Sequence, residues 1–150
     1  AGMCALAWLL PFLFQGMEPR FVLPLGFGLL SFQTPLCVLL SGDPALERAV
    51  HFLPGQFRAF CLPYGGFLTG AFLFTDMVFL CGWELQSGGV TGSMFLAAFC
   101  FAVLGAVLSV LLEWRFPIRG WQTESDLWHH PRKYVVPGIL LLLGTILGVS

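Results

Sequence analysis

Few residues in this 150-residue chain are equipped for chemistry, and their settings restrict what that chemistry is. Asp76 is the one acid well inside an apolar stretch, 60–83. Charge at membrane depth costs roughly 2.5–3.5 kcal/mol on insertion scales, so an acid retained there is functional by default. Two readings of Asp76 are open. It lies on a pathway for a polar substrate or ion, or it is tolerated because it sits about two turns from the outer end, near Trp83. Thr75 beside it could offer a local hydrogen bond. His129 and His130 are adjacent, so on a helix they point about 100° apart and cannot form the same-face i, i+4 pair of a helical metal site. No carboxylate or cysteine at suitable spacing completes a ligand set. The five cysteines, Cys4, Cys37, Cys61, Cys81 and Cys100, lie in or beside apolar runs with no CxxC spacing. They read as buried small hydrophobes, not as a zinc site or disulfide framework. No GxxxxGK[ST] run occurs, so any ATP chemistry belongs to a partner chain. No catalytic constellation, cofactor site or metal site is expected.

The elements that hold these residues are set by hydropathy. Hydrophobic residues make up 57% of the chain and charged residues 10%, against about 25% charged in a usual soluble domain. A soluble core this apolar would leave large greasy patches in water. The net charge of −1 gives no basic field for nucleic acid. The expected fold class is all-α, a polytopic transmembrane bundle forming a single domain over 1–150.

A crossing helix needs ~20 predominantly apolar residues because its backbone must satisfy itself in hydrocarbon. Five stretches are expected to cross: 1–14, 21–40, 60–83, 94–112 and 134–149. The first and last are short. The chain begins at Ala1 inside one apolar run and stops at Ser150 in another. A fragment of a longer membrane protein is expected, with a cleaved signal peptide as the other explanation of the start.

Cations orient these stretches. Arg20 lies in the connection 15–20, Arg48 and Arg58 in 41–59, none in 84–93, and Arg115, Arg119, Arg132 and Lys133 in 113–133. Alternating sides puts six of the seven cations on one face, which the positive-inside rule makes cytoplasmic. Small residues suggest packing faces within the bundle: Gly66 and Gly70, the row Ala98, Ala102, Gly105 and Ser109, and Gly144 with Gly148.

Both cytoplasmic connections carry short-helix signals. In 41–59, Asp43 suits an N-cap and Pro44 the first helical position. Leu46, Ala49, Val50 and Leu53 then follow an amphipathic stripe, Glu47, Arg48 and His51 lie off it, and Pro54-Gly55 ends it. This is about two turns of interfacial helix. It either rests on lipid headgroups or docks a cytoplasmic partner. In 113–133, Thr123-x-x-Asp126 resembles a capping box ahead of a short helix through Trp128 and His130. Trp114, Trp121, Trp128 and Tyr134 suit the membrane interface, and Arg132 and Lys133 can attract anionic lipid heads.

The run Leu46-Glu47-Arg48, then Phe52-Leu53-Pro54, then Arg58 resembles the membrane subunits of ABC-2 type transporters. In that family a Leu-Glu-x pattern followed by Leu-Pro-x-x-Arg-Arg lies between the second and third spans. Here Gly55-Gln56 replaces a more basic run, and the sixth span and the amphipathic helix before the first are missing. The resemblance implies a permease subunit of an exporter in a bacterial cytoplasmic (inner) membrane, in the lipid bilayer. Its implied partners are an ATP-binding cassette subunit and a second permease subunit or a homodimer. It implies docking through Glu47, Arg48, His51, Leu53 and Arg58, with Asp76 a candidate pathway residue. The other open reading is a non-catalytic structural or assembly subunit of a larger membrane complex. A membrane enzyme using Asp76 or the two histidines is disfavoured, because these lie on opposite sides in this topology.

Overall fold

A computed structural model describes residues 2–33, 36, 38–55, 57–118, 126 and 130–149. The described chain is helical, without strands among the described residues. Six helices are named here: α1 (Gly2–Leu13), α2 (Pro19–Leu30), α3 (Pro44–Phe52), α4 (Leu62–Ser87), α5 (Gly92–Arg115) and α6 (Val135–Val149). A short helical turn, Leu39–Gly42, precedes α3, a π-helical turn, Phe57–Cys61, leads into α4, and a 3-10 turn, Pro131–Tyr134, leads into α6.

Helix lengths separate the apolar stretches into two groups. Residues 57–87 and 92–115 form helices of 31 and 24 residues, long and apolar enough to cross a membrane. At 1.5 Å per residue these reach about 46 and 36 Å, against about 30 Å of hydrocarbon. The stretches 1–14, 21–40 and 134–149 hold helices of only 12, 12 and 15 residues. The largest shortfall against expectation is 21–40, where α2 stops at Leu30. Pro35 bars one continuous helix through 21–40: a proline has no N–H to continue the ladder, and its ring would meet the carbonyl of Ser31 four residues back. The Ser31 hydroxyl instead donates to the Gly28 carbonyl at 2.6 Å, and the Gln33 N–H donates to the Ser31 carbonyl at 2.8 Å.

The long helices and their neighbours alternate in direction. Phe72 of α4 faces Gly105 of α5 while Gly65 faces Val110, so the two run antiparallel. Their connection turns at Gly88, whose φ of +64° places it in the left-handed region that a side chain would strain. The Glu84 carboxylate accepts from the Val90 N–H at 2.7 Å and steadies that turn. Trp8 and Pro11 of α1 abut Gly82, while Gly2–Cys4 lie level with Ala71–Thr75, so α1 runs with α4. Phe27 packs on Phe79 with ring centroids 5.7 Å apart, and Gln33 bonds Thr75, so α2 runs against α4. Pro24 meets Gly144 and Gly28 meets Leu141, so α6 opposes α2. At Gly144 the backbone of Pro24 comes within 3.1 Å of where a Cβ would stand, so only glycine fits that crossing.

Two larger apolar clusters and a small third one, Val38 with Ile118, form the interior among the described residues. One gathers Ala7, Val22, Phe27, Leu30, Phe79, Trp83, Ala98 and Leu140, drawn from α1, α2, the far half of α4, α5 and α6. The other gathers Cys61, Tyr64, Leu68, Phe72, Ala102 and Val110 between α4 and α5. The expected small-residue row on α5 is buried throughout: Ala98, Ala102, Gly105 and Ser109 all face the interior. The pair Gly66 and Gly70 is not part of this packing. Both are exposed and nothing lies within 4 Å of a Cβ built on either. Cys61 is buried, but Cys81 and Cys100 face outward, against the expectation of buried thiols. Cys37 lies outside the described residues.

Candidate functional site

Two groups of polar side chains stand out against this apolar background. The first ties the connection 41–59 to the end of α5. Glu113 is fully buried. Ser41 reaches both of its carboxylate oxygens: the Ser41 N–H donates to Oε2 and the Ser41 hydroxyl to Oε1, each at 2.8 Å. The Ser41 Oγ in turn accepts from the Ile118 N–H at 2.9 Å. This serine therefore joins two segments separated by the whole α4–α5 hairpin. The sequence placed Glu113 in a polar connection; the fold buries it because it lies in the last turn of a helix that carries no charge before it and packs inward.

A second link lies beside it. Asp43 caps α3 as expected, its carboxylate accepting from the Ala45 and Leu46 N–H groups at 2.9 and 3.2 Å. The helix ends at Phe52, as Pro54-Gly55 requires. The expected apolar stripe only partly turns inward. Val50 is buried, but Ala49 and Leu53 are exposed. What seats α3 is His51, which the stripe left out. Its imidazole stacks on the indole of Trp114 with centroids 4.1 Å apart and planes within 10°. Its Nδ1 approaches the Glu47 carbonyl at 2.9 Å and its Nε2 the Trp114 carbonyl at 3.1 Å. A neutral ring donates to one carbonyl at a time, and a protonated ring to both. Phe57 meets the same indole edge-on at 4.7 Å. Trp114, expected as an interface anchor, thus serves as the seat of α3.

The five expected docking residues divide accordingly. His51 is engaged with α5, and Glu47 is half-buried on α3. Arg48, Leu53 and Arg58 are exposed, with Phe52 beside them 82% exposed.

The second polar group lies at mid-length in α4. Asp76 is 11 residues from the end of α4 at Ser87, about 16 Å along the axis. It is therefore near the helix centre, because the helix runs on past Trp83, about two turns from Asp76, to Ser87. It is buried, and it sits between Phe72 of one apolar cluster and Phe79 of the other. Thr75 does not serve it. The Thr75 hydroxyl donates to the Phe72 carbonyl at 2.8 Å and accepts from the Gln33 amide at 2.9 Å. Gln33 and Thr75 line a lateral cleft of about 510 Å³ with Met3, Cys4, Phe32 and Phe74. Gln33 is the mid-bundle polar residue that sequence reasoning passed over, and its signal was a lone amide inside a charge-free stretch.

Among the described residues no three metal-ligating side chains come together. His130 is exposed ahead of the 3-10 turn. Arg119, Trp121, Thr123, Trp128 and His129 lie outside the described residues, and with them the expected capping box. Comparison with family models, curated proteins and solved structures finds no match to this chain.

Proposed function

We propose that this chain is an integral membrane bundle acting as the permease subunit of an ATP-driven, ABC-2 type exporter. The observation that carries the proposal is the seating of α3. It is held to α5 by the His51–Trp114 stack and, through the preceding turn, by Ser41 and Glu113, while Arg48, Phe52, Leu53 and Arg58 point outward. A helix anchored on one side and open on the other can take up a push from a nucleotide-binding partner and pass it to α5. Asp76, Gln33 and Thr75 form a polar layer between two apolar clusters, where a pathway for a polar substrate would open. The membrane setting is supported by the two long apolar helices and by outward-facing Phe67, Phe74, Leu96, Phe99 and Leu111, which water would penalise and lipid would not. The cation-rich end carrying α3 would be cytoplasmic, and the membrane a bacterial inner membrane.

The test is co-purification of the full protein with the ATPase encoded beside it. Glu47→Ala combined with Arg48→Glu is expected to abolish complex formation and ATPase coupling. Intact coupling in that variant would remove the docking role. A second reading, a non-catalytic assembly subunit of a larger membrane complex, is favoured by one observation: the open Gly66–Gly70 face on α4, where another helix could approach closely. Loss of a larger complex in Gly66→Leu, with no ATPase associated, would decide for it.

A further inference from the structure

A groove of about 430 Å³ runs between the end of α5 and the start of α6. Its walls are apolar along their length, with Leu108 and Leu112 from α5 and Val135 and Ile139 from α6. Arg115 and Phe116, both exposed, line it at the end of α5. We propose that this groove binds one anionic phospholipid, with an acyl chain along the apolar walls and the phosphate on Arg115. The inference rests on the membrane reading above and goes beyond it, because it names a single site and a headgroup charge.

Three features select this occupant. First, the order of chemistry along the groove matches a lipid: hydrocarbon within the helical hairpin, then a cation at the helix end where a headgroup would lie. Second, the cation is available. Arg115 is exposed, and among the described residues no carboxylate lies within ion-pair distance of it. Its near neighbour Glu113 is turned inward to Ser41. Third, a second cation stands at the same end. Lys133 lies on the 3-10 turn two residues before Val135, with its Nζ 4.8 Å from the centroid of the Tyr134 ring. A phosphocholine lipid carries its own cation and would gain less from this pair than phosphatidylglycerol.

The experiment uses the full chain in detergent, with equimolar phosphatidylglycerol and phosphatidylcholine, and counts retained lipid by native mass spectrometry. Phosphatidylglycerol is expected to be favoured about five-fold per engaged cation, the ratio equivalent to about 1 kcal/mol. Arg115→Gln should remove most of the preference and Lys133→Gln part of it. Ile139→Trp, which fills the groove from a partly exposed position, should reduce retention of both lipids. Equal retention of the two lipids overturns the site, as does an unchanged preference in Arg115→Gln. A dimer that Ile139→Trp dissociates while lipid retention persists also overturns it and assigns the groove to a second copy. Flotation with phosphatidylcholine vesicles separates the two levels of the argument. A chain that floats yet shows no headgroup preference loses only the lipid site. A chain that does not float loses the membrane reading on which the site depends.

Discussion

At Ser41 and Glu113 one residue helps to offset the burial of a carboxylate, giving both its N–H and its O–H to the two acid oxygens. Removing a partner from a buried polar group costs about 1–3 kcal/mol, and more when that group is charged. Ser41→Ala is therefore expected to lower stability by at least about that amount, read as a fall in the thermal midpoint in detergent. Glu113→Gln should be milder, because one amide oxygen still accepts while the other position turns donor. Asp76 predicts the opposite sign. It is buried between Phe72 and Phe79, and none of the described residues hydrogen-bonds its carboxylate. Asp76→Leu should raise the thermal midpoint, following the roughly 2.5–3.5 kcal/mol by which a central acid disfavours insertion. If Asp76 lies on the pathway, the same variant should lose transport. The partners of Gln33 and Ser41 could not be read from the sequence, because an amide or hydroxyl has no identifiable partner until the helices are placed.

Among the elements, glycine spacing alone does not separate packing contacts from open faces. Gly144 and Gly66 both sit in GxxxG runs, yet one meets the Pro24 backbone and the other meets nothing within 4 Å. Gly144→Leu must displace α2 and is expected to destabilise the bundle by about 1–3 kcal/mol, the usual cost of overpacking. Gly66→Leu should leave the thermal midpoint of the isolated chain unchanged. Comparable losses in both variants would show that the α4 face is covered in the isolated chain. For α3, Trp114→Ala removes the ring that holds both His51 and Phe57. Faster amide exchange confined to 44–52, with α4 and α5 still protected, is the expected result. The cap and stop of α3 were legible because Asp43, Pro44 and Pro54-Gly55 act on their own backbone. Its seating was not, since the helical stripe ranks residues by hydropathy and a histidine that stacks on an indole lies outside that ranking.

For the whole molecule, the alternation of α1, α2, α4, α5 and α6 places the connections 41–59 and 113–118 at one end and the turn at 88–91 at the other. In a background without the five native cysteines, single cysteines at Pro54 and Ser87, both exposed, should therefore be labelled from opposite sides of a vesicle. Labelling from the same side would remove the crossing of α4. The three shorter helices present 12, 12 and 15 residues, against the ~20 that a perpendicular crossing needs.

The sequence by itself determined the helical class, the apolar stretches 60–83 and 94–112 (two of the five expected to cross), the cap of α3 and the clustering of cations toward two connections. These follow from composition, hydrophobic run length and local backbone chemistry, each of which acts within a few residues. Tertiary structure alone decided that Ser41 meets Glu113, that His51 rests on Trp114, that Thr75 serves Gln33, and that Arg115 lines a groove with residues of α6. In each case the partner lies about forty to seventy residues away in the chain, or in α6 across the bundle. Asp76 shows the division within one residue. Its place inside an apolar helix was plain from its neighbours in the chain, but its position along α4 followed only from where that helix begins and ends, and its lack of a hydrogen-bond partner among the described residues only from where Thr75 turned.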